Sequence, residues 1–179
     1  MEQITAQQDM PAWLVAELRS DQAGETGAVE IYRGILALSK DPDLRAFATH
    51  HMETEQKHLD LINTILPHAE RTRLLPVWKV MGFLTGALPA IFGAKAVYAT
   101  IEAVETFVDH HYQQQIDQLD TQSLLPEIKA ALVACQADEV AHRDEAAGLV
   151  DGPLNPLHKA WAFVVGFGSQ AAVVVAKRI

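Results

Sequence analysis

Apolar residues recur in this chain every three to four positions over long stretches, and no stretch shows the strict alternation of a half-buried strand. Proline and polar clusters cut the pattern into six segments. Pro11 opens the first, which runs to about residue 39. Asp41-Pro42 supplies an N-cap and a proline at the first helical position of the second. That segment runs to Leu66 and stops at Pro67, since the residue before a proline is steered away from helix. A polar link over 68–73 leads into an apolar segment over 74–94, interrupted by Gly82, Gly86 and Pro89. The fourth covers about 94–119. Ser123 and Pro126 open the fifth, which ends before Gly152-Pro153, and Asn155-Pro156 opens the sixth, which runs to Lys177-Arg178-Ile179. The pattern predicts an all-α protein of about six helices.

Two of these helices carry Glu-x-x-His: Glu55 with His58, and Glu139 with His142. Residues i and i+3 share a helix face, so each motif offers a carboxylate and an imidazole to one point in space. One further Glu precedes each motif on a separate long helix: Glu25, thirty residues before Glu55, and Glu105, thirty-four before Glu139. Four helices, two giving one Glu and two giving Glu-x-x-His, form the ligand pattern of di-iron and di-manganese carboxylate bundles. The halves also match in position: Pro42 stands thirteen residues before Glu55, and Pro126 thirteen before Glu139. A lone Glu-x-x-His is commonly a surface pair. Two of them, each with an upstream carboxylate, predict a di-metal site in a bundle core. Four carboxylates are neutralised by two divalent ions, and without metal they repel one another and take up protons.

The net charge of −9 and the absence of a basic stripe argue against a nucleic-acid partner. A single cysteine, Cys135, excludes an internal disulfide and a cysteine-based zinc site, and reads as a small buried apolar residue. At 179 residues the chain is read as one domain over 1–179, with 1–10 a loose N-terminal segment. The opening residues show neither an apolar signal core nor an Arg-rich transit pattern. Fifteen uncharged residues over 80–94 fall short of the roughly twenty that a spanning helix needs, so 74–94 is read as interfacial or buried; 156–179 is a second apolar helix that either joins it at a membrane interface or packs against it. Trp13, Trp78 and Trp161 are either interface markers or buried aromatics.

Around the ligand set, Asp21, one turn before Glu25, either orients a ligand histidine or is an exposed helix acid, and Asp138 beside Glu139 has the same two readings. Glu102 is either an extra carboxylate or a solvated one. His50-His51 and His110-His111 are assigned to the surface or to supporting roles.

The segment Arg19-Ser-Asp-Gln-Ala-Gly-Glu-Thr-Gly-Ala28, with Ile31-Tyr32 after it, resembles the opening of the demethoxyubiquinone hydroxylase family. The resemblance continues at Glu55-Gln-Lys-His-Leu59, at Leu75-Pro-Val-Trp-Lys-Val-Met-Gly-Phe83, at Ala103-Val-Glu-Thr-Phe-Val-Asp-His-His-Tyr112 and at Asp138-Glu-Val-Ala-His142. It covers the chain from about residue 17 onwards. The chain departs from the family at Gln22, where His is usual, and at Glu102, where an apolar residue is common.

The resemblance implies a ferritin-like four-helix bundle with additional helices and a di-iron monooxygenase of ubiquinone biosynthesis. Such enzymes hydroxylate the quinone ring of a demethoxyubiquinone with O2 and external reducing equivalents. It implies two iron ions per chain on Glu25, Glu55, His58, Glu105, Glu139 and His142, with Tyr32 and Tyr112 near the quinone or the electron path. A polyprenyl substrate implies a membrane surface, with the apolar segment and the Lys177-Arg178 end at the headgroups. The expected location is the cytoplasmic face of a bacterial inner membrane, as a peripheral protein, with a homo-oligomer or a helper protein as further partners. The same ligands would also serve a ferritin-like protein with another hydroxylation substrate, or one that handles iron and peroxide.

Overall fold

The computed structural model describes residues 10–179, so the segment assigned to 1–10 lies almost wholly outside the described residues. The described residues form six α-helices and one 3₁₀ turn, with no strand among them. The helices are α1 (Ala12–Leu38), α2 (Pro42–Ile65), α3 (Leu75–Ile91), α4 (Ala94–Gln122), α5 (Pro126–Gly148) and α6 (Pro156–Ala176). Asp41 caps α2 by accepting from the Asp43 and Leu44 amides, and Asn155 caps α6 by accepting from the His158 amide. Ser123 does not open α5. It closes α4 in the left-handed region (φ 50°), and Leu125 leads into Pro126 with φ 44°.

Helices α1, α2, α4 and α5 make the bundle. Each neighbouring pair runs antiparallel, as two contacts at different levels show: Gln22–Asn63 with Leu36–Arg45, Glu25–Tyr112 with Trp13–Gln122, Asp109–Gln136 with Asp120–Lys129, and His58–Asp138 with His51–Glu145. The link from α2 to α4 crosses over through α3, the single long connection of a ferritin-like bundle. Two apolar clusters fill the interior. One gathers Tyr32, Ile35, Phe47, Val97 and Ile101; the other gathers Leu14, Leu18, Ile62, Tyr112, Leu132 and Cys135. Along α1 the band of Asp21 and Glu25 lies between the two, so the ionisable residues occupy the middle of a dry core.

The apolar segment is one continuous helix, and its glycines are contact points rather than interruptions. A Cβ on Gly82 would stand 2.3 Å from the Gly27 carbonyl oxygen, and one on Gly86 1.8 Å from that of Ile31. Only glycine lets α3 lie this close against α1. The opposite side of α3 is bare: Val80, Met81, Ile91 and Phe92 are exposed, as are Phe163, Val164 and Phe167 on α6. Among the described residues α6 is the one helix long and apolar enough to cross a membrane, with mean hydropathy 1.4. It docks on the bundle through Trp161, whose indole donates to Thr100 (2.9 Å), and through Lys177, which pairs with Glu17 (2.7 Å). Lys177 is therefore turned inward and not toward headgroups, because Glu17 takes its charge; Arg178 remains exposed.

Candidate metal centre

Each of the four bundle helices brings its acidic residue to the same level. Glu25 (α1), Glu55 (α2), Glu105 (α4) and Glu139 (α5) are all at most 4% exposed, and His58 and His142 at most 5%. They fall into two overlapping groups able to hold a cation: Glu25, Glu55, His58 and Glu139, and Glu55, Glu105, Glu139 and His142. In each group the donor atoms lie within 4.8 Å of one another. Glu55 and Glu139 belong to both, which suits carboxylates that bridge two ions.

The two Glu-x-x-His motifs interlock. His58 Nδ1 lies 3.0 Å from Glu139 Oε1, across the bundle, and His142 Nδ1 lies 2.9 Å from Glu55 Oε1. Yet His142 Nδ1, Glu55 Oε1 and Glu139 Oε2 are buried with no hydrogen-bond partner. Donor atoms gathered this closely, with bonding capacity to spare, are what a cation needs. Oxygen-rich donors with one nitrogen per group suit a pair of iron or manganese ions. The residues present therefore fit a di-metal site.

Protons occupy the cluster when cations do not. Burial, with the Glu139 and Glu55 charges beside it, pushes Glu25 well above the usual carboxylate range, and burial with the same two charges does so for Glu105. Burial opposes the charge on Glu55, but His142 and His58 outweigh it and hold that carboxyl at about 2. Burial likewise opposes charge on the imidazoles, and the facing Glu139 and Glu55 outweigh it. His142 rises to about 9, and His58 is raised further.

Neighbouring side chains fix the donors. Asp138, exposed on α5, takes the hydrogen of His58 Nε2 at 3.0 Å, which turns Nδ1 toward the cluster. The Tyr112 hydroxyl donates to Glu25 Oε1 at 2.5 Å. The Tyr32 hydroxyl is buried beside Glu105 without a partner; burial and the Glu105 charge raise its pKa well above the ordinary value.

A family comparison covers nearly all of this architecture: the model of the ubiquinone biosynthesis protein COQ7 matches residues 12–176. The chain belongs to that family. It is 35% identical over 174 residues to the 3-demethoxyubiquinol 3-hydroxylase of Rhodospirillum rubrum, covering 94% of this chain and 80% of that protein. It is 33% identical over 168 residues to the mitochondrial NADPH-dependent 3-demethoxyubiquinone 3-hydroxylase of Dictyostelium discoideum, covering 90% of this chain and 76% of that one. The human protein of the same name is 29% identical over 167 residues.

In this COQ7-family chain one assignment changes. Asp21 orients neither ligand histidine. It is buried against His111 (3.0 Å) and Gln115 (2.9 Å), because its side of α1 meets α4. From each His-His doublet the second ring is buried, and His51 is fully so. The sequence names His51 only as one of a doublet with a surface or supporting role; one turn before Glu55 on an amphipathic helix, its burial is not visible there. Gln22, where the family usually has His, donates to Asn63 (3.3 Å) and lies off the donor cluster. Glu102 is half-buried and belongs to neither donor group.

Proposed function

We propose that this chain is a di-iron monooxygenase that hydroxylates the quinone ring of a demethoxyubiquinone in ubiquinone biosynthesis. The observation that carries the reading is the pair of interlocked donor groups sharing Glu55 and Glu139 in a chain of the COQ7 family. The names of the relatives supply the substrate class and the reaction type.

Two irons on Glu25, Glu55, His58, Glu105, Glu139 and His142 would supply O2 activation. The overall reaction takes O2, two electrons from an external donor and two protons, puts one oxygen atom on the ring and releases the other as water. The chain's own residues do the rest. Asp138 keeps the His58 ring turned inward. Tyr112 holds a proton at Glu25 Oε1, beside the site, where protons are consumed. Tyr32 presents a second hydroxyl near Glu105. The apolar clusters on either side exclude water, so that neutral and charged forms of these groups are set by their neighbours and not by solvent.

A quinone with a polyprenyl tail resides in a bilayer, and the exposed apolar faces of α3 and α6 give the chain a surface to meet it as a peripheral protein. Both helices pack on α1 and α4, which carry Glu25 and Glu105, so lipid contact and site share a wall. The setting assigned to the chain is the cytoplasmic face of a bacterial inner membrane. A second copy or a helper protein that presents substrate would use this same surface.

The test is anaerobic loading of the metal-free protein with ferrous iron, then one exposure to O2 with a short-tailed demethoxyquinol. About two irons per chain and a product heavier by one oxygen support the reading. Two irons with unchanged quinone would move the substrate elsewhere, toward another hydroxylation or the handling of iron and peroxide.

A further inference from the structure

Two imidazoles on α2 pair with two exposed carboxylates on α5 at the same interval. His58 Nε2 meets Asp138 at 3.0 Å, and His51 Nε2, seven residues earlier, meets Glu145 at 3.0 Å, seven residues later. The helices run antiparallel, so the pairs are two rungs of one seam. The lower rung turns His58 toward the metal donors. The upper rung has no such role on its face, since His51 belongs to neither donor group.

The surroundings of His51 give it one. Its ring packs at a tilt against Phe47 (centroids 4.1 Å apart) and His142 (4.1 Å), with Tyr32 at 5.7 Å. His142 lacks what His58 has: among the described residues no carboxylate bonds its outer nitrogen. Against its ring packs His51 instead. The His51 Nδ1 is buried and without a partner, which is unfavourable for a polar atom. A phenyl ring would fill the same slot between Phe47 and His142 without that cost. An imidazole gains over it only through the Glu145 bond, which fixes the ring's rotation from the protein surface, where the Glu145 side chain is half exposed.

We propose that His51, anchored by Glu145, is the positioning residue for His142 and holds that ring as Asp138 holds His58. The inference rests on reading Glu55, Glu105, Glu139 and His142 as a metal group.

Stepwise Co2+ titration of the metal-free full chain tests it, followed by absorption and calorimetry, with far-UV circular dichroism to check folding. The wild type takes two equivalents; fewer would overturn the metal reading itself and this inference with it. His51→Phe and Glu145→Ala should each leave one equivalent unchanged and weaken the other about 10–100-fold. Glu145→Gln keeps an oxygen acceptor for Nε2–H and should restore near-wild-type uptake. Asp138→Ala should weaken one equivalent, and Asp138→Ala with Glu145→Ala should weaken both. Wild-type uptake of two equivalents by Glu145→Ala would overturn the anchoring, whatever His51→Phe does. That variant changes a half-exposed side chain, so it reads the proposal even where His51→Phe does not fold.

Discussion

His142 Nδ1 lies 2.9 Å from Glu55 Oε1, and the two atoms make no hydrogen bond with each other. They come from different hairpins of the bundle and belong to one donor group. Glu55 and Glu139 belong to both donor groups, whereas Glu25 and Glu105 belong to one each. Removing a shared carboxylate should therefore cost more metal than removing an unshared one. Glu139→Ala is expected to drop below one metal per chain, with hydroxylation abolished and the helical signal kept. Glu105→Gln should keep close to one. Metal analysis after gel filtration checks this; full activity in Glu139→Ala would remove it from the ligand set.

Metal and protons compete for the same atoms. Glu25, Glu105, His58 and His142 all have raised pKa values in the metal-free protein. Cation uptake near pH 7 should release protons, and affinity should rise with pH. Calorimetry in buffers of different ionisation heat counts those protons. An uptake that released none would contradict the assignment.

Stability of the metal-free protein should move the other way. His142 sits at about 9, above its unfolded value of 6.5, so its stabilising charge is fully present below pH 6.5 and is lost as pH rises through 9. Glu25 and Glu105, raised by burial, act with the same sign. His51, lowered to about 4 by burial, has finished its change by pH 7 and does not oppose them. The His142 contribution is on the order of 3 kcal/mol. Between pH 7 and 10 the metal-free Tm is expected to fall by roughly 5–10 °C, while the metal-loaded protein holds its Tm. Parallel thermal scans of the two forms measure it.

Gly86→Ala places a Cβ 1.8 Å from the Ile31 carbonyl oxygen, a backbone atom with no freedom to yield. Helices α1 and α3 must separate, at a cost of about 1–3 kcal/mol. Chemical denaturation should show that loss. Gly166→Ala, with nothing within 4 Å of its added Cβ, should be neutral or slightly stabilising.

The apolar face of α6 is open where Phe163 and Phe167 stand 74% and 65% exposed. Replacing both with Asp should leave the fold intact, since neither side chain packs inside. It should reduce binding to anionic liposomes by at least about tenfold, given what one buried Phe side chain contributes. Co-sedimentation with vesicles reads the change. Undiminished binding would place the membrane contact elsewhere.

Helix number, order and boundaries were legible because proline and capping residues mark most ends: Asp41-Pro42 and Asn155-Pro156 cap their helices as their chemistry dictates. Ser123 was misassigned because a serine before a helix also suits the left-handed close of the helix preceding it. The six side chains that the structure gathers were legible as two i, i+3 pairs, each with one Glu upstream. Which carboxylates are shared was not, since that depends on how α2 faces α5. Asp21 shows the same gap. One turn from Glu25 on α1, it shares that residue's helix face, yet its partners His111 and Gln115 come from α4. The glycines of α3 look like breaks in sequence, and only the approach of α1 explains them.

The central claim is that oxygen from O2 reaches the quinone ring at this site. Iron-loaded protein in vesicles, given a short-tailed demethoxyquinol and ¹⁸O2, tests it in a single turnover with mass detection. The account expects one ¹⁸O atom in the ring product, and none with Glu139→Ala. An unlabelled product, or labelled product undiminished in that variant, would contradict it.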